Sequence, residues 1–458
     1  MKNKQLNLTS GPILRTLAEL ALPIMASSFL STAYNITDMA WIGMLGSKAV
    51  AGVGVGGMYV WLSQGFSSLT RMGGQVNMAQ SLGKGDRKSA AGFAQAALQL
   101  TILFALFVTV VSMVFTGPLL KFFTLTDAET YNSARIYMRI TCGLILFSFL
   151  SQVLTGLFTA QGDSKTPLKA NFFGLVLNMI LDPLLVLGVG PFPRLEVVGA
   201  AAATVTAQIV VLLILITGII RDHGDSNVLR KIQLLSRPEL SYVKGVFRIG
   251  IPTALQGSIY CIISMILTRM VSGFGAGAIA VQRVGGQIES LSWNTADGFG
   301  SALNAFMGQN YGARKVDRIK QGYSISLRLL VCWTALSTIA FVFFPRYISV
   351  LFFHEEEVVR LSIDYLRIIG FSEILLSVEM MTVGALSGLG RTQLCSVISI
   401  SLTVMRIPLA LILSGTSLGL NGIWWALTLS SVAKGIIFYI TFQYICRHSL
   451  LKAAGSKN

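Results

Sequence analysis

Apolar runs long enough to cross a bilayer recur about twelve times along this chain, separated by short polar connections. They lie near 17–44, 49–80, 91–115, 131–160, 168–190, 197–220, 243–272, 278–308, 323–345, 358–388, 395–415 and 422–446. Inside lipid every backbone amide must be satisfied within the protein, which leaves helices or a closed barrel. A barrel strand alternates apolar and polar residues over segments of about ten. These runs are continuous, so the expected fold is an all-α polytopic membrane protein. Only 12% of the 458 residues are charged, against about 25% in a soluble domain.

A net charge of +16 would suggest nucleic acid in a soluble protein. Here the cations collect in alternate short loops, which is the positive-inside pattern. One side carries Arg15, Lys84, Arg87, Lys165, Lys169, Arg314, Arg318, Arg391 and Arg447, together with the longest polar connection, 221–244. The other side carries Lys121, Asp127, Glu129 and the run Glu355-Glu356-Glu357. Both termini are therefore expected on the cytoplasmic side of a bacterial plasma (inner) membrane, and no nucleic-acid partner is expected. The polar start, Met1 to Glu19, does not read as a cleavable leader. Five scattered cysteines without paired spacing argue against a disulfide framework or a zinc site.

The chain repeats itself at an offset of 229 residues: Pro23 matches Pro252, Gly46 matches Gly275, Gly56-Gly57 match Gly285-Gly286, and Gly83 matches Gly312. Gly156 and Gly162 correspond to Gly384 and Gly390, one residue out of step. Six spans separate the copies, so both have the same orientation. The expected architecture is twelve helices in two six-helix bundles related by a pseudo-two-fold axis along the membrane normal. Residues 1–222 are assigned to the first bundle, 223–242 to a linker and 243–458 to the second. Such a pair of bundles suits alternating access.

Within the first apolar run stands Asp38. A carboxylate near the centre of a membrane helix costs about 2.5–3.5 kcal/mol on insertion scales, so it is kept where it pairs, titrates or lines a wet cavity. Tyr34 lies one turn earlier on the same face. Asp38 is the candidate cation-coupling residue of a secondary transporter.

Across its whole length the chain resembles the multidrug and toxic compound extrusion (MATE) family. The segments that carry the likeness are Thr37-Asp38-Met39-Ala40-Trp41-Ile42-Gly43, Ala79-Gln80-Ser81-Leu82-Gly83-Lys84-Gly85-Asp86, Asn178-Met179-Ile180-Leu181-Asp182-Pro183, Gly308-Gln309-Asn310-Tyr311-Gly312-Ala313 and Gly384-Ala385-Leu386-Ser387-Gly388. The chain is most similar to the DinF-like branch. The span 7 acid of the NorM-like branch is absent around Gln256-Gly257-Ser258-Ile259-Tyr260, and Leu376 stands where that branch has an aspartate in span 10.

The resemblance implies a cation site in the first half built from Tyr34, Asp38, Asn178, Asp182, Ala200 and Thr204. It would take H⁺, or Na⁺ at Asp38, Asn178, Asp182 and Thr204. A polar network that merely joins helices is the alternative, and Asp182 before Pro183 could cap a helix break. The second half holds Glu289, Asp297, Glu373 and Glu379. These could form a polar site for a cationic substrate, or pair with Arg283, Arg406 or Lys434. Pro23 is the candidate hinge. Arg71 is expected near a helix end.

The expected function is secondary antiport: amphipathic, often cationic organic compounds leave the cell in exchange for H⁺ or Na⁺, through protonation of Asp38. A lipid-linked precursor flippase or a metabolite exporter is the alternative. A channel or receptor is the opposing class, disfavoured by the repeat. There is no enzyme motif and no phosphate-binding lysine loop, so neither catalysis nor ATP drive is expected. The partners expected are small organic molecules and membrane lipid, with no cofactor beyond the coupling ion and a monomeric chain.

Overall fold

The computed structural model describes residues 6–122, 127–190, 193–222, 227–353 and 355–455, and every regular element among them is helical. Seventeen α-helices and one 3₁₀ turn (Val228–Lys231) follow one another. In the first half they are α1 (Ile13–Gly43), α2 (Ser47–Gly83), α3 (Arg87–Val114), α4 (Thr116–Lys121), α5 (Ala128–Gly143), α6 (Ile145–Ala160), α7 (Lys165–Val186) and α8 (Glu196–Arg221). The second half has α9 (Leu240–Ser272), α10 (Ala276–Gly312), α11 (Val316–Phe343), α12 (Pro345–Phe352), α13 (Glu356–Gly370), α14 (Glu373–Gly388), α15 (Thr392–Val404), α16 (Arg406–Ser414) and α17 (Leu420–Gly455).

Eight of the described helical segments are long and apolar enough to cross a membrane by themselves, and two bent pairs, α5–α6 and α13–α14, bring the number to ten. The remaining two spans are α2 and α10, each 37 residues long and diluted by Gly, Ser, Gln and Asn. The twelve spans are thus present, but two of them are not the straight helices that their apolar runs suggest. Both bent pairs turn by 48°. The breaks fall at Gly143–Leu144 and at Phe371–Ser372, where no proline signals them. Pro23, Pro183 and Pro252, by contrast, sit inside unbroken helices.

The repeat is visible in the geometry. Gly46 and Gly275 precede α2 and α10 with φ of 103° in both cases, a backbone region that glycine enters without steric cost. The helices α3 and α11 are both 28 residues long, and α6 and α14 both 16. In the first copy α2 packs on α3, α5 and α6; in the second α10 packs on α11, α13 and α14. Local caps were not duplicated. Asp86 accepts from the Ser89 amide at 2.9 Å and Asp127 from the Thr130 amide at 2.9 Å. Their counterparts before α11 and α13, Lys315 and Glu355, make no side-chain cap. The hydrogen bonds from the backbone and hydroxyl of Thr130, reinforced by Lys48, hold the Asp127 carboxyl below its ordinary range.

Two compact units emerge from the packing. One contains Ala26–Ala254; the other joins Leu8–Met25 to Leu255–Asn458. The sequence boundaries at 222 and 243 follow the loop, whereas packing divides α1 and α9 just after Pro23 and Pro252. A contiguous cut cannot express a helix shared between two units. Residues 223–226 of the expected linker lie outside the described residues. The rest of it is held to the first unit: Val228 and Leu229 are buried in that unit's core, and Gln99 on α3 donates to the Leu234 carbonyl at 2.7 Å.

In the second unit α10 and α14 cross backbone to backbone. A β-carbon on Gly384 would stand 2.3 Å from the Gly300 carbonyl oxygen. Overpacking such a crossing costs about 1–3 kcal/mol or more. Gly384→Val is therefore expected to lower the thermal unfolding midpoint of the detergent-solubilised protein. Gly286→Ala, whose added methyl meets open space, is expected to leave it unchanged; equal midpoints for the two variants would contradict the crossing.

Candidate functional site

The first unit gathers side chains from four helices into one buried polar cluster. Asp38 and Tyr34 come from α1, Tyr137 from α5, Asn178 and Asp182 from α7, and Thr204 from α8. The four-residue spacing on α7 stacks its two polar groups on one face. Asn178 donates to the Asp182 carboxylate at 3.5 Å, and both residues are fully buried. Tyr34 and Thr204 share a hydroxyl–hydroxyl hydrogen bond of 3.3 Å. The Asp38 and Asp182 carboxyls lie within hydrogen-bonding reach of each other. Ala200 is wholly buried in an apolar cluster with Ile42 and Val186. The helix continues through Pro183, so there is no break at that point for Asp182 to cap.

The cluster is rich in acceptors and poor in donors. Asp38 Oδ1, Asp182 Oδ2 and Asn178 Oδ1 are buried and have no hydrogen-bond partner. Leaving a buried acceptor unsatisfied costs about 1–3 kcal/mol, and more when it is charged. Two carboxylates in mutual reach repel each other, which favours a positive ligand shared between them. The set therefore fits a proton or a hard monovalent cation, either of which binds oxygen and supplies what the protein does not. A cavity of about 860 Å³, part of it open to solvent, reaches this cluster and is lined in part by Tyr34, Asn178 and Thr204.

Tyr137 was not visible as a site residue in the sequence. The Asp38 and Asp182 carboxyls act electrostatically on its phenol, and its hydroxyl reaches Thr204. It stands between Arg135 and Arg139 on α5 with no acid one turn away, so no spacing rule marks it. Its place depends on α2, where a β-carbon on Gly56 would come within 3.2 Å of the Tyr137 ring.

Of the four acids of the second half, Glu289 and Glu373 lie close enough to act on each other beside Tyr365, while Glu379 and Asp297 go elsewhere. Glu379 accepts from Lys434 at 2.8 Å, with both side chains almost fully buried. Glu289 accepts from the Tyr365 hydroxyl at 3.4 Å. Glu373 opens α14 wholly buried, with neither carboxylate oxygen hydrogen-bonded. Asp297 is exposed. Arg406 is held by the Ser430 and Ser431 hydroxyls at 3.1 and 3.0 Å and lies over the Tyr260 ring. At the position equivalent to Asp38 stands Leu267, which is buried among apolar side chains.

Twelve spans, a two-fold internal repeat and buried acids with unmet oxygens define a polytopic membrane transporter. The MatE family profile matches the chain twice, over residues 23–184 and 252–412, and the two matches begin at the equivalent prolines. The chain belongs to the MatE family, whose members are transporters and not enzymes. It is 29% identical over 419 residues to a protein of Thermotoga maritima described as a probable multidrug resistance protein NorM, covering 90% of this chain and 88% of that one. It is 27% identical over 450 residues to a protein of Shewanella oneidensis described as an FAD transporter, covering 97% and 98%. Among solved structures, a MATE transporter in its straight conformation superposes with a TM-score of 0.90 at 22% identity, covering 99% of this chain and 100% of the other. A MOP superfamily transporter from Pyrococcus furiosus gives 0.89 at 22% identity, covering 98% and 99%.

Breaking a buried ion pair from one side costs about 3–5 kcal/mol, whereas replacing both partners by apolar groups is often nearly neutral. Lys434→Met is accordingly expected to destabilise the protein strongly in denaturant or heat. Combining it with Glu379→Leu should restore most of the loss, and a double variant as unstable as the single one would show that the pair is not isolated.

Proposed function

We propose that the chain is a cation-coupled antiporter that exports amphipathic organic compounds from the cytoplasm in exchange for H⁺. The observation that supports this most directly is the trio of buried, unpartnered oxygens on Asp38, Asn178 and Asp182. H⁺ is favoured over Na⁺ because a single shared proton relieves the repulsion between two neighbouring carboxyls. Na⁺ would use the same oxygens with the Thr204 hydroxyl. Each positive charge moved inward across 100 mV releases about 2.3 kcal/mol, enough to drive a substantial substrate gradient. The basic loops support a reading in which both termini face the cytoplasm at a bacterial plasma membrane, with the chain working as a monomer.

In the proposed cycle the first unit does the coupling. Protonation of the Asp38–Asp182 pair changes the hydrogen bonds of Asn178, Tyr34 and Thr204. The last three line the cavity, so ion and substrate draw on the same side chains. Alternating access then carries the loaded cavity across, with α1 bending near Pro23. The name of the Shewanella relative favours a second reading, export of an anionic metabolite such as a flavin dinucleotide.

Proteoliposomes under separately imposed H⁺ and Na⁺ gradients test both readings. Uphill movement of a fluorescent organic dye is expected under a proton gradient and should collapse with an uncoupler. Asp38→Asn is expected to abolish it, since an amide cannot carry the proton. Transport by Asp38→Asn at the wild-type rate would sink the mechanism, and proton-driven movement of FAD with none of the dye would select the metabolite reading.

A further inference from the structure

Among the described residues Arg71 is the only charged side chain lining the cavity of the first unit. It lies about three turns inside α2 from the helix end at Gly83, not near a helix end where it could snorkel to the surface. An arginine at membrane depth is expensive and marks a substrate or ion path unless it is paired. Here it has neither a carboxylate partner nor a hydrogen bond among the described residues.

The internal repeat gives an independent reason to regard Arg71 as placed for a ligand. Its counterpart in the second copy is Gly300, which meets Gly384 backbone to backbone. The counterpart of Gly384 in the first copy is Gly156, and there the stem of Arg71 fills the space: a β-carbon on Gly156 would stand 2.8 Å from Arg71 Cγ. The scaffold alone is satisfied by two glycines, as the second unit demonstrates. In the first unit a cation occupies the crossing and a cavity lies beside it. Two further side chains of the lining, Asn171 and Gln208, have amide groups with no hydrogen-bond partner among the described residues. Gln152 is instead already engaged by Gln64 and Ser67. A guanidinium with two free amides suits an oxyanion, since arginine offers a planar fork of donors matched to carboxylate or phosphate.

We infer that Arg71 is a specificity-determining residue that binds the carboxylate or phosphate group of an amphipathic substrate in the first-unit cavity, with Asn171 and Gln208 as auxiliary donors. This rests on the reading of the chain as an exporter and narrows its substrates to organic anions and zwitterions. The anchored substrate would reach Tyr34, Asn178 and Thr204 from the same cavity and so compete for the partners of the coupling pair.

Fluorescence anisotropy on the purified full-length protein in detergent tests the assignment with a matched pair of dyes. Rhodamine 110 carries a free carboxylate and rhodamine 123 is its methyl ester. Wild type is expected to bind the acid about tenfold more tightly than the ester, the size of a charge-assisted contact. Arg71→Gln should remove that preference by weakening the acid alone, and Arg71→Lys should restore part of it. Benzoate or phenyl phosphate should displace rhodamine 110 from wild type, and the stronger of the two names the preferred anion. Equal weakening of both dyes by Arg71→Gln, a wild-type preference for the ester, or binding of neither dye would overturn the assignment. No ion gradient is used, so failure here leaves the antiport reading standing, and failure of gradient-driven export leaves this binding result standing.

Discussion

A bilayer interior supplies no hydrogen-bond partners, and most of what is particular about this protein follows from that. The backbone answers with helices, each satisfying its own amides. Side chains have no such general solution, so every buried polar group must find a neighbour or recruit something from outside. Glu379 finds Lys434, and Arg406 finds two serine hydroxyls and a tyrosine ring. Asp38, Asp182 and Asn178 find each other and still leave oxygens unmet. An unmet acceptor of this kind is a defect in a static structural protein and a working part in a transporter.

Comparison of the two copies separates scaffold from chemistry. Glycines at helix starts, helix lengths and the 48° bends are shared. Charged and polar groups are not: Asp38 becomes Leu267 and Arg71 becomes Gly300. The second half has its own buried ionisable groups, but most of them are committed to protein partners. Glu373 is the exception: it lies near Glu289 and Tyr365, but neither of its carboxylate oxygens is hydrogen-bonded.

The apolar runs, the basic loops and the repeat were legible in the sequence because each is a one-dimensional pattern: length, alternation and offset. The acid at 38 was legible for the same reason, as a charge in an apolar run, and Asn178 and Asp182 were picked out through a family likeness. Other features depend on which helix faces which. Tyr137 enters the cluster through the packing of α5 on α2. The bends at Gly143 and Phe371 come where packing redirects a chain that carries no proline. Arg71 reads as a snorkelling residue until α2 is seen to continue past it, and its meaning comes from a glycine on another helix. The sequence by itself determined a twelve-span duplicated transporter with its unusual acid in the first half, because hydropathy and charge are written residue by residue. Only the tertiary structure decided which polar groups are paired and which are left unmet, because pairing belongs to residues far apart in the chain and brought together by packing.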